Sequence, residues 1–305
     1  MKYYFLQYEG IYDFMNDEVF IAEVNEYINH TFSEFNSFRD IVWEIFTVFN
    51  NLCKENQLKY YQAFGTLIGA VRDQGNIPWD YDMDVLVSID DRSKLIEILE
   101  NELPSIYYYV YSNVEKEYPT TCLRICKKGY PFTSIHLDVF FAIGCPNVKP
   151  QKYVMLLNKL YIKRSRKYSG KWFAEKNKNM SIIKKMVHFV GRIHKASISS
   201  KRIIKDEERL YHKYSLNKSL YFCIPGDPYL HYYYTEDFLK SKFINIRGEE
   251  VRIPIGYDRY LKTIYGDYMK YPSIKSRFDE FYKMLEIVHN RQEQYETSDL
   301  FDRYK

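Results

Sequence analysis

From Asp80 the chain reads Asp-Tyr-Asp-Met-Asp-Val-Leu-Val-Ser, and this run constrains the fold more than any other segment. Side chains two apart on a strand project from one face. Asp82 and Asp84 therefore stand side by side at the head of a strand, with Asp80 close behind. Carboxylates that close repel one another unless a cation lies between them or one takes up a proton. Mg²⁺ suits such a pair, because it takes one or two carboxylates and leaves positions for phosphate oxygens and water. Mn²⁺ is the alternative. The apolar residues that follow make the strand a buried one, so the acids sit at its end and face a cleft.

The flanking segments supply the rest of an α+β unit. Phe38, Ile41, Val42, Ile45, Phe46, Phe49 and Leu52 recur at helical spacing, which predicts a helix from Phe35 to Glu55. Tyr60 to Phe64 reads as a strand entering Gly65-Thr66, and Leu67 to Arg72 as a short helix. A glycine at that turn lets a phosphate approach the backbone, and the helix N-terminus behind it offers free N–H groups. Gln74-Gly75-Asn76 is a turn, and Ile77 is extended ahead of Pro78. A strand from Met83 to Ser88 and a helix from Asp90 to Leu103, with Asp90 or Asp91 at its cap, come next. Strands at Cys122 to Lys127 and Ile135 to Phe141 complete a small mixed sheet flanked by helices.

Asp138 lies inside the last of these strands, where an ionised carboxylate is costly unless it is paired or metal-bound. His136 shares its face at a spacing of two. Three acids delivered from two neighbouring strands explain one another as a metal site. After Pro150 the pattern turns mainly helical, basic at first and rich in tyrosine later. A soft boundary near Pro146 to Pro150 divides the chain into residues 1–148 and 149–305.

The basic stretch is marked. Between Asn158 and Lys205 fifteen Lys or Arg face one acid, Glu175, although the whole chain carries a net charge of only +4. The common meaning of such a run is a solvated helical face. Ile182, Ile183, Met186, Val187, Phe189, Val190 and Ile193 also give it an apolar side, so residues 159–205 equally suit docking on an anionic membrane surface. Nucleic acid is a poor partner, because no recognised binding module accompanies the basic residues and the acidic motif repels a phosphate backbone. Five cysteines without a regular framework indicate free thiols in a reducing compartment. The spacing of Cys122 and Cys126 lacks the second ligand pair that a zinc site needs. No apolar stretch approaches the roughly 20 residues of a membrane span, and the N-terminus has no signal-peptide pattern. The expected location is the cytoplasm, including the cytoplasmic face of a membrane. The 32 tyrosines carry no functional meaning as a set.

The segment Ala-Phe-Gly-Thr-Leu-Ile-Gly-Ala-Val-Arg-Asp-Gln-Gly-Asn-Ile-Pro-Trp-Asp-Tyr-Asp-Met-Asp closely resembles the opening motif of the LicD family. Gly65, Thr66, Leu67, Gly69, Arg72, Ile77, Pro78, Trp79, Asp80, Asp82 and Asp84 match it. Tyr81 stands where the family usually has an acid, and Ile68 replaces a leucine. Ser134 to Phe140 is similar to a second family motif that supplies a further acid, Asp138. A looser similarity spans Val251 to Pro254, Tyr260-Leu261, Tyr265 to Tyr268 and Pro272.

The resemblance implies a nucleotidyltransferase-like fold, with residues 149–305 completing the same unit. It implies a CDP-choline or CDP-alditol donor and transfer of phosphocholine or a phosphoalditol to a glycan or lipid-linked glycan acceptor. By carry-over, Asp82 and Asp84 hold the metal. Asp138 either shares a second metal or takes the proton of the acceptor hydroxyl. Arg72 and Arg124 are candidates for stabilising charge on the transferred group, or are structural ion pairs. Trp79 either lines the donor site or packs beneath the acidic loop. His136 either orients a carboxylate or is a core histidine. Two other readings stand beside this one. One is a nucleotidyltransferase attacking the α-phosphorus of a nucleoside triphosphate; the other is a non-catalytic, membrane-docked scaffold for glycan assembly.

Overall fold

The computed structural model describes residues 18–112, 114–115, 118–172 and 200–297. Its first element, α1 (Glu18–Glu55), begins well ahead of the segment expected from periodicity. Val42, Ile45, Phe46, Phe49 and Leu52 on it are buried, whereas Phe38 and Ile41 pack at the margin of the core.

Strands β1 (Tyr60–Gln62), β2 (Met83–Ser88), β3 (Tyr107–Val110), β4 (Leu123–Lys127) and β5 (Leu137–Gly144) form a mixed sheet in the order β1-β2-β5-β4-β3. Only β2 and β5 in that order run parallel. A parallel pair needs a crossover, and the intervening chain supplies it with helix α3 (Arg92–Glu102) and the β3–β4 pair. The 3₁₀ turn that leads into α3 is capped by Ser88, whose hydroxyl accepts from the Asp90 amide at 3.2 Å, and Asp91 takes the N-cap position of α3 without a side-chain cap hydrogen bond.

The C-terminal region is helical, with α4 (Pro150–Trp172), α5 (Ser200–Tyr211), α6 (Glu236–Leu239), α7 (Tyr257–Tyr265) and α8 (Ile274–Glu296). It also contains strands that sequence patterning did not reveal. β6 (Tyr221–Cys223) pairs with the end of β5 and with β7 (Tyr233–Tyr234). β8 (Ser241–Ile246) and β9 (Glu249–Pro254) form a separate hairpin. Helices α4 and α5 pack together through a buried ion pair between Arg164 and Glu207. Arg164, counted among the basic run, is thus a core residue. The apolar face proposed at 182–193 lies outside the described residues. Among the described residues no helix is long and apolar enough to cross a membrane.

The two sheet faces differ in what covers them. Tyr60 is the register partner of Val87, and the rings of Phe46 and Phe49 rest on Tyr60, so α1 covers the Val85 and Val87 face. The other face carries Asp84, Leu86, Asp138 and Phe140. There Tyr61 meets Phe238 of α6, and Phe64 meets Phe140 and Tyr260 of α7. C-terminal elements therefore roof the acidic face.

The turn from β1 into β2 is fixed by a short helix, α2 (Phe64–Ile68), which runs on as a π-helical turn to Asp73. It begins earlier than expected, so Gly65 and Thr66 lie in its first turn. Gly69 sits against the returning chain: a Cβ there would lie 2.4 Å from the Gly75 carbonyl oxygen and 2.8 Å from the Ile77 amide. Both obstacles are backbone, which cannot swing aside. Gly69→Ala is expected to cost about 1–3 kcal/mol of stability through overpacking, read as a lower urea midpoint. A variant as stable as wild type would show that the 75–77 loop is not held against α2.

Candidate active site

The sheet register sets the site. Asp84 is the Cα partner of Asp138 on β5, and Asp138 is the partner of Arg124 on β4. One cation and two carboxylates thus lie on one level across three strands, facing the same side. Asp82 precedes the strand by one residue and joins them from its end. The head of β2 is tied to α2, because Thr66 Oγ1 accepts from the Asp84 amide at 2.7 Å and the Ala63 amide donates to the Asp84 carbonyl at 3.1 Å. Gly65 leaves room for Asp80: a Cβ there would be 3.2 Å from the Asp80 Oδ2 atom. Tyr81 alternates to the opposite side, is buried, and meets Phe35 edge-on. The residue that departs from the family acid is therefore a core residue.

The acids divide into two electrostatic kinds. Arg124 Nε donates to Asp138 Oδ1 at 2.8 Å, and its Nη1 donates to the Phe132 carbonyl at 2.8 Å. Cys122 Sγ donates to the same carboxylate at 3.4 Å, and His136 Nε2 lies 3.5 Å from Oδ2. Burial alone would raise the Asp138 pKa, but the charge of Arg124, then that of His136, overcomes it and holds the carboxyl below the usual range. His136 is itself lowered by burial and by Arg124, which favours the neutral ring. Asp82 and Asp84 behave in the opposite way. Burial pushes both well up, and repulsion from neighbouring carboxylates adds to it. Asp80 is also raised by burial, and its carboxyl interacts with that of Asp82.

Asp82, Asp84, Arg124 and Asp138 line a common cleft of about 320 Å³. Gly65, Thr66, Asp80 and His136 stand behind it as supports. Arg72 and Trp79 are not brought to it. Arg72 pairs with Asp73 at 2.8 Å, donates to the Tyr268 carbonyl at 2.9 Å, and lies over the Tyr271 ring at 4.4 Å. Trp79 packs beside Tyr271 and between the Arg72 and Arg277 guanidinium groups. These residues brace the acidic loop against the segment before α8. Conversely, sequence reasoning missed Phe64, Tyr161, Pro228 and Tyr229 on the cleft wall, and noted Phe140 and Tyr265 only as a family similarity. A second cleft of about 290 Å³ lies around Ser88, at the other end of β2, where Lys59, Asp90 and Asp91 are among the lining residues.

Among the described residues no group of three His, Cys, Asp or Glu side chains is arranged to hold a metal ion unaided. A small hard cation that keeps waters and phosphate oxygens needs only one or two carboxylates. Asp82 and Asp84, raised by burial and by neighbouring carboxylates and without an ion-pair partner among the described residues, have the donor chemistry for that. Asp138 is already engaged by Arg124.

A mixed sheet flanked by helices thus delivers these acids into an open cleft. Residues 57–194 match the family described as LicD/FKTN/FKRP, nucleotidyltransferase domain. The lipopolysaccharide cholinephosphotransferase LicD of Haemophilus influenzae is 25% identical over 244 residues, which cover 75% of this chain and 88% of that protein. Shorter similarities join the chain to uncharacterized proteins of two rickettsiae. RP689 of Rickettsia prowazekii is 34% identical over 93 residues, 29% of this chain and 35% of that protein. RT0683 of Rickettsia typhi is 42% identical over 50 residues, 16% of each.

The strained acid pair has a measurable signature. Asp84 holds its proton more tightly in the folded state than in the unfolded one, so its contribution to stability is full at low pH. That contribution is lost as pH rises through the raised folded pKa. In chelator at about pH 8, Asp84→Asn is expected to melt several degrees above wild type, with the gap closing toward about pH 4. A wild-type protein that melts as high as the variant at the upper pH would show that the pair carries no repulsion to relieve.

Proposed function

We propose that the protein transfers phosphocholine from a CDP-linked donor to a hydroxyl of a lipopolysaccharide-type glycan, releasing CMP. Its family domain and its likeness to a cholinephosphotransferase make it a phosphotransferase. The observation that carries the finer reading is the Asp82–Asp84 pair, unneutralised and opening on a cleft beside a fixed Arg124–Asp138 pair. A phosphate-handling site needs that combination of a place for a cation and a positioned guanidinium.

In this reading Asp82 and Asp84 hold Mg²⁺ or Mn²⁺, which when bound neutralises charge on the donor's phosphate oxygens. Thr66 fixes the backbone at Asp84, so the carboxylate does not drift. Arg124 is locked by Asp138 and by the Phe132 carbonyl, and it offers its charge to the phosphoryl group without reorganising. Asp138 is the carboxylate that stays ionised, and it accepts the proton of the acceptor hydroxyl. Its pairing with Arg124 makes it a weak base. Phosphoryl transfer through a loose transition state relies on positioning and electrostatics more than on strong base catalysis.

The reading is tested by incubating the purified protein with CDP-choline, lipopolysaccharide and Mg²⁺, and measuring CMP and glycan-bound choline. Asp82→Asn and Asp84→Asn are each expected to lower kcat at least about a hundredfold while leaving the fold intact. Release of pyrophosphate from a nucleoside triphosphate, with no CMP from CDP-choline, would favour the nucleotidyltransferase reading instead. Full activity in both Asn variants would remove the acid pair from the mechanism.

A further inference from the structure

The wall of the cleft that faces the acids is aromatic. Tyr229, from the loop between β6 and β7, and Tyr265, at the end of α7, meet at ring centroids 5.7 Å apart and an interplanar angle of 72°. Two rings at that angle make an open corner. Tyr161 on α4 lines the same cleft, as do Phe64 and Phe140. Tyr265 feels the charge of Asp84, and Tyr161 that of Asp138, so these rings lie within reach of the carboxylates.

The corner is held rigidly. The buried Asp227 side chain accepts from the Tyr229 amide at 2.8 Å, the His231 amide at 3.4 Å and the Tyr233 hydroxyl at 2.6 Å. Pro225 and Pro228 restrict the same loop. Gly226, at φ +85°, brings the loop against Tyr161: a Cβ there would lie 3.3 Å from that ring and 2.7 Å from Thr121 Oγ1. Two threonine hydroxyls near this wall already donate to backbone carbonyls. Thr121 donates to the Pro225 carbonyl at 2.6 Å, and Thr120 to the Cys122 carbonyl at 3.4 Å.

Resting on the phosphocholine reading above, we infer that Tyr229 and Tyr265, with Tyr161 beside them, form the subsite for the quaternary ammonium head of the transferred group. A trimethylammonium has no N–H to satisfy, and the faces of aromatic rings attract its charge. An alditol chain carries a hydroxyl on every carbon. Against the ring faces its hydroxyls would give up hydrogen bonds to water, at a cost for each one buried. The subsite therefore selects choline over an alditol, and it does so through residues outside the acidic motif.

The full-length protein, with MgCl₂ present, is titrated calorimetrically with phosphocholine, with phosphoethanolamine, and with the neutral isostere that has a tert-butyl group in place of the trimethylammonium. All three carry the same phosphate, so differences report on the head group. Phosphocholine is expected to bind about tenfold more tightly than the isostere. Tyr229→Leu and Tyr265→Leu should each erase most of that preference, whereas Tyr265→Phe keeps its ring face and should retain it. Tyr229 is 43% exposed, so its replacement leaves the core alone.

Equal affinity for phosphocholine and its isostere overturns the subsite. So does a preference that survives both leucine variants, tighter binding of phosphoethanolamine than of phosphocholine, or no phosphocholine binding at all. The transfer reading fails separately. A charge preference that the leucine variants abolish, without CMP release from CDP-choline, keeps the subsite and removes the transfer. CMP release without a charge preference does the reverse.

Discussion

Asp84 and Asp138 stand opposite each other on parallel neighbouring strands, and the rest of the site is arranged around the repulsion this creates. One member of the pair is neutralised from within, by Arg124 on the next strand. The other is not, and burial beside Asp82 makes its charge more costly still. A fold gains nothing in stability from such an acid. Thr66 grips the backbone at Asp84, and the packing of α2 against the 75–77 loop keeps the strand head where it is. The strain is thus carried by the architecture.

This explains why the first motif combines residue types that have little in common. The acids face the cleft, and Tyr81 between them turns into the core. Gly65 and Gly69 let side chain and backbone approach α2, while Arg72 and Trp79 lock the far side of the loop to the segment before α8. Only part of the motif touches the cleft. The remainder holds the acids in a conformation they would not adopt unaided.

The acidic strand, its neighbour with Asp138 and the helix ahead of them were legible in the sequence, because alternation and helical periodicity are local signals. Met83–Ser88 begins and ends where its pattern predicts. The strands β3, β6 and β7 were not legible. They are built largely of tyrosine, a good strand former, but in a chain so rich in tyrosine the residue has no contrast with its background. The start of α2 was misjudged because Phe64 takes a positive φ of 45°, which no propensity suggests. The cleft wall was hidden for another reason. Tyr161, Tyr229 and Tyr265 come from three separate elements and meet only through tertiary packing, so no window of sequence contains them. The role of Arg72 was open to two readings, and the structure pairs it with Asp73 away from the cleft.

The roof over the acidic face has a consequence for biosynthesis. The acids are encoded in the first half of the chain, while Tyr229 and Tyr265 are encoded in its last third. A ribosome translating N-terminal to C-terminal exposes the acid-bearing strands long before it has made the loop and helix that cover them. The nascent sheet must wait with its Leu86 and Phe140 face bare, and closure over the cleft is a late event set by long-range contacts. A chain cut short before α7 would display the carboxylates without the pocket, so competence to hold a substrate arrives only once α7 has been made.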